Sequence, residues 1–207
     1  MARVATRSNL SSKVSSVEEL EKRFHFIDDD ILRKNIALAF QYTIFLIAVL
    51  DQEGAEDTSI SSSMHKDMIV QTACAVEACL HYCLRKSIDM GKLESGTIMP
   101  IEEKDEEVKE LYKISENEHI FSVRRIKRPE RLTRQTQFIV LNRAALHGGI
   151  FNKEAFDKAE ELRTMRNKIH LAGLQSTEGS YKRVDSEKAF QLANYVVKKI
   201  EEWLTVT

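Results

Sequence analysis

Proline and glycine are scarce in this chain, with 2 Pro and 7 Gly among 207 residues. So few turn formers exclude a turn-rich β-sandwich, whose strands need frequent chain reversals. Cysteine is sparse too: the 3 present, Cys74, Cys79 and Cys83, fall in one apolar segment. With no second cluster to complete them, they exclude a disulfide framework and a four-cysteine zinc site, and read as reduced core thiols. Neither sign of charge is in excess, since 31 Lys+Arg stand against 32 Asp+Glu for a formal net charge of -1. That balance excludes a globally basic nucleic-acid coat but leaves room for a local basic stripe. No uninterrupted apolar run reaches the roughly 20 residues that a membrane-spanning helix needs. The most apolar stretch, Ile36 to Leu50, is interrupted by Gln41, Tyr42 and Thr43. It reads as a buried core helix, and no membrane is expected. The histidines at 25, 65, 81, 119, 147 and 170 are scattered, so neither a metal site nor a cofactor is expected. Also missing are a Gly-rich loop before Lys-Ser or Lys-Thr and a Gly-x-Ser-x-Gly elbow, which removes P-loop and serine-hydrolase readings.

What the chain has is 43% hydrophobic and 30% charged residues, enough to bury one core beneath a hydrated surface. Residues 1–16 carry Arg3, Arg7 and Lys13 with several Ser and Thr and no acid. Transit peptides share that composition, but without an apolar stripe it predicts a flexible tail, and the cytoplasm is the expected location. Residues 17–207 read as a single helical domain. Ser15 and Ser16, each three residues before Glu18 or Glu19, make a capping-box start for a short helix through about Phe26. Asp28, Asp29 and Asp30 then favour the N-terminus of a second helix reaching about Leu50, whose apolar residues surround the axis. After a polar stretch over 51–63, a third helix is predicted from about Met64 to Met90, ending at Gly91. In it Ile69, Ala73, Val76, Leu80, Cys83 and Leu84 recur at helical spacing, which makes it central.

An insertion at about 92–130 breaks this pattern: an acidic run, Glu102 to Glu107, precedes Val108, Leu111, Ile114 and then Ile120, Phe121, Val123 and Ile126. Two short strands turning near Ser115 to Glu118 are predicted. Helical spacing returns from Arg131 to Leu146 and stops at Gly148-Gly149, with His147 as a cation at the helix end. Asn152 is the expected cap of a helix ending near Gly173, and Asp185 of a last helix through about Trp203. The sum is an all-α, up-and-down helical bundle with one small inserted β-hairpin.

The segment Phe156 to Gly173, FDKAEELRTMRNKIHLAG, carries the chemistry. At about 100° per residue, Ala155, Ala159, Leu162 and Ile169 line one helical face, and Arg166 falls inside that stripe. Arg163 and His170, seven apart, share its edge, with Asn167 one step further round. Glu77 and His81 on the third helix read as satisfied core polar residues, Glu77 being the expected partner of Arg166. A basic stripe of Arg124, Arg125, Lys127, Arg128, Arg131 and Arg134 could hold an RNA backbone, or fold back on the acidic run.

The string Arg163-Thr164-Met165-Arg166-Asn167-Lys168-Ile169-His170 resembles the signature of the HEPN superfamily, an Arg followed after four to six residues by His, often with a polar residue after the Arg. The helix bearing Ala73-Cys74-Ala75-Val76-Glu77-Ala78-Cys79-Leu80 is similar to that fold's first core helix, and the pattern covers residues 30–205. Arg163 has the six intervening residues but is followed by Thr164. Arg166 is followed by Asn167 but has only three, so which Arg matches the motif stays open. The resemblance implies a metal-independent endoribonuclease of defence or toxin–antitoxin systems, working as a homodimer, with RNA or a nucleotide as ligand. His170 would be the acid/base, Arg163 or Arg166 the phosphate stabiliser and Asn167 an orienting group. The alternative is a catalytically silent HEPN-like module that binds a nucleotide or a protein partner.

Overall fold

The computed structural model describes residues 14–53, 58–94, 110–121, 132–169 and 181–206. They form a mainly helical bundle with one two-stranded sheet, so the expected all-α bundle with a small hairpin stands. Helix α1 is Val17–Arg23, opened by the capping box of Ser16 and Glu19. Helix α2 is Asp30–Glu53. It is long enough, with a mean hydropathy of 1.3, to pass for a membrane span by length and composition.

One face of α2, through Ile36, Ala37 and Phe40, enters the core, while Leu38, Tyr42 and Phe45 are exposed. The reading of α2 as a buried core helix therefore holds for one face only: its neighbours α1 and α3 cover one side of a helix that is apolar on both.

Helix α3, Ser59–Asp89, is the axis of the bundle and touches α2 and all three later helices. Ile69, Ala73, Val76, Leu80, Cys83 and Leu84 are all buried, as their spacing predicts. It starts five residues earlier than expected because Thr58 and Ser61 cap each other reciprocally. Cys79 and Cys83 lie in the core, but Cys74 is exposed, so the grouping of all three as core thiols is corrected. Residue 74 is on the side of α3 between the faces that carry Ala73 and Ala75.

The hairpin pairs β1 (Glu110–Ser115) antiparallel with β2 (Glu118–Phe121) across Glu116-Asn117, at the predicted turn. Helix α4 is Phe138–His147 and begins later than Arg131. Thr133 and Thr136 divert the chain into a turn: Thr136 Oγ1 accepts from the Thr133 amide, and Thr133 Oγ1 from that of Gln135. Helix α5, Lys153–Asn167, is capped by Asn152 as expected. It closes at Asn167 rather than near Gly173, with Lys168 and Ile169 in a turn. Helix α6, Arg183–Thr205, takes Lys182 as its cap. Asp185, expected as the cap, sits three residues further on and accepts from the Lys182 amide. The reason is geometric: a carboxylate in the first turn can reach back to the flanking donor. The core lies between α3, α5 and α6, closed at one end by Phe24, Ile27 and Phe40.

Candidate functional site

Helices α3 and α5 and the segment leading into α4 converge on an open cleft of about 630 Å³, lined by Glu77, Arg134, Gln135, Thr136, Gln137, Phe138, Ile139, Arg163, Arg166 and Asn167. Three of the expected site residues on α5 meet here because Arg166 continues the buried face of Ala155, Ala159 and Leu162 by one more turn, and Arg163 and Asn167 lie on its flank. The buried alanines draw α5 close to its neighbours, and the longer side chains on the flank reach the cleft.

Both arginines are partly satisfied within the protein. Arg163 grips Glu160 with a fork, Nε to Oε2 at 2.9 Å and Nη2 to Oε2 at 2.8 Å. The other oxygen of Glu160 accepts from Nδ2 of the fully buried Asn142 at 2.6 Å. Asn142 Oδ1 has no partner among the described residues. Arg166 Nη1 lies 3.3 Å from Glu77 Oε2, the pairing expected from the sequence. A guanidinium has five N–H donors, and each of these arginines keeps donors with no partner among the described residues. The cleft can therefore offer hydrogen bonds to an anion without breaking either ion pair.

Around the cleft, Arg134, Arg163 and Arg166 face Glu77 and Glu160. Among the described residues, one positive charge is left over. Arg134 was seen in the sequence only as the end of a basic stripe, and the Thr133–Thr136 turn is what brings it beside the α5 arginines. Gln135, Asn142 and Glu160 had no sequence signal at all, since each is an ordinary polar residue until its neighbours are known. His81, grouped with Glu77, instead meets the Thr133 carbonyl at 3.0 Å and ties α3 to the same turn.

His170 lies outside the described residues, as do Arg124, Arg125, Lys127 and Arg128. Among the described residues no cluster of His, Cys, Asp or Glu could hold a metal ion. Comparison with known proteins supplies no relative: no family model, curated protein or solved structure matches the chain.

Proposed function

We propose that this chain is a HEPN-like protein acting on RNA, with the cleft between α3, α5 and the approach to α4 as the place where the phosphate backbone docks. The observation that carries this reading is the convergence of Arg134, Arg163, Arg166 and Asn167, from two distant stretches of sequence, on one open cleft. In the catalytic form, His170 moves a proton at the ribose 2′-hydroxyl or the leaving oxygen, while a guanidinium holds the phosphate oxygens as charge develops. Arg124, Arg125, Lys127 and Arg128 extend the contact to the backbone by counterion release. The protein acts as a homodimer in the cytoplasm, in a defence or toxin–antitoxin role.

A second reading has its own support. Glu160 and Glu77 already neutralise much of the two motif arginines, and a carboxylate lining the cleft opposes an incoming anion. This favours a catalytically silent HEPN-like module that binds RNA, a nucleotide or a protein partner.

Labelled RNA incubated in chelator with the native chain, with His170→Ala and with Arg163→Ala separates the two. Cleavage that falls about 100-fold or more in His170→Ala supports the nuclease. Absence of cleavage, with RNA binding that weakens steeply as salt rises and is lost in Arg134→Ala, supports the silent module. Cleavage unchanged in His170→Ala, or no binding at any salt concentration, removes the RNA reading.

A further inference from the structure

We infer that the exposed face of α2 is a self-association surface at which a second copy of this chain packs antiparallel across a twofold axis. From Asn35 to Leu50 the helix carries no charged residue on any side. Its inward side is spent on the core, yet Ile31, Leu38, Tyr42 and Phe45 on the opposite side are 76%, 43%, 42% and 41% exposed. These four, with half-buried Val49, follow each other at intervals alternating between the two spacings of a heptad seam, with Asn35 in the one polar core position. A surface helix facing only water would place charges there.

The geometry sets a register. With the axis at the level of Phe40, Leu38 meets the second copy's Tyr42, and Ile31 meets its Val49. Asn35 then lies against Phe45 near the wetted end of the seam. Sliding by a heptad in either direction leaves Ile31 or Val49 uncovered, so this register is the one that covers the whole stripe. The seam positions themselves hold no ionic group.

The four exposed side chains offer on the order of 400 Å² of apolar surface, near the upper end of what a monomer leaves open. A standard interface needs about 800 Å² from each partner. The flanking Lys34, Gln41 and Gln52 contribute to the remainder, which places the dimer in the concentration-dependent range. A lipid surface is the less favoured occupant, because interfacial helices border the apolar face with Lys and Arg. Among the described residues, Lys34 is the one α2 cation beside the stripe, since Arg33 is paired with Asp30.

The stripe lies on the side of α2 turned away from α3, whereas the cleft is built on the α4 and α5 side of α3. Pairing through α2 therefore leaves both clefts open and does not depend on what they bind. This makes the test independent of the RNA assay. The full chain is followed by sedimentation velocity from about 1 to about 100 μM, alongside Leu38→Glu, Phe45→Glu, the milder Tyr42→Ser, and Arg143→Glu on α4 as a control, with helicity checked by circular dichroism.

The expected result is a monomer–dimer equilibrium that the α2 variants weaken by at least about tenfold, while Arg143→Glu leaves it unchanged. A native chain that stays monomeric throughout overturns the inference. So does a dimer that folded Tyr42→Ser and Phe45→Glu leave intact, or a monomer that floats with phosphatidylcholine vesicles through Phe45.

Discussion

Asp28 is held in its charged form by two donors from α3: Lys86 pairs with Oδ2, and the Tyr82 hydroxyl donates to Oδ1 at 2.5 Å. The Tyr82 oxygen in turn accepts from the Asp28 amide at 3.1 Å, fastening the loop before α2 to the central helix. Lys86, and then Tyr82, hold the carboxyl below the usual aspartate range. A depressed pKa contributes stability that is present above the unfolded-state value and lost as pH falls through the lower folded value. The stability difference between the native chain and Asp28→Asn should therefore shrink as pH drops below about 4. Urea midpoints for both proteins at neutral and acidic pH measure it, and a constant gap would contradict the assignment. Glu77 and Arg166 make the second residue-scale test. Each is about three-quarters buried, at 24% and 28% exposure, so a double-mutant cycle in urea should show a coupling of roughly 0.5–1 kcal/mol. Additive single mutants would show that the 3.3 Å approach does no net stabilising. This pairing was legible in the sequence because an arginine inside an apolar stripe demands a carboxylate, and Glu77 sits on the facing helix.

Among the elements, α3 and the hairpin are opposites. Leu80 on α3 is fully buried in the main core cluster, so Leu80→Ala should cost about 2–5 kcal/mol. In the hairpin, Leu111, Tyr112 and Ile114 are exposed, and no helix packs against either strand among the described residues. An isolated two-stranded hairpin is marginal in water. Native-state hydrogen exchange should therefore find β1 and β2 amides exchanging orders of magnitude faster than those of α3. Equal protection would mean that the strands pack on the bundle. The hairpin's turn was legible because alternation ends at Glu116-Asn117, and α3 was legible because its apolar residues repeat strictly. The starts of α3 and α4 were not, since both depend on whether a Thr side chain caps a helix, as at position 58, or folds a turn, as at 133 and 136. The same residue type supports both outcomes, and local competition decides between them.

At the scale of the whole molecule, the central helix opens only when the bundle does. Burial pushes the Cys79 and Cys83 thiols up to about 12, so they react only after α3 leaves the core. Cys74 is exposed, although desolvation of its sulfur holds its pKa above the ordinary thiol value and slows it. Iodoacetamide should therefore modify one thiol in the native protein, and all three only under denaturing conditions. Mass spectrometry counts them, and native labelling of three at one rate would contradict the buried placement. The cleft belongs to this scale too, since Glu77, Arg134 and Arg163 are brought together only by the packing of α3, α4 and α5.

The letters alone were sufficient for the helical class, the inserted hairpin, the central place of α3 and the cationic edge of α5, because periodicity and charge placement are properties of a single strand of text. Only tertiary structure decided that Arg134 joins that edge, that Glu160 and Asn142 brace Arg163, and which side of α2 stays uncovered. A helix that is apolar all round looks the same from every direction until its neighbours choose one face. A polar side chain likewise acquires a role only when folding sets its partners.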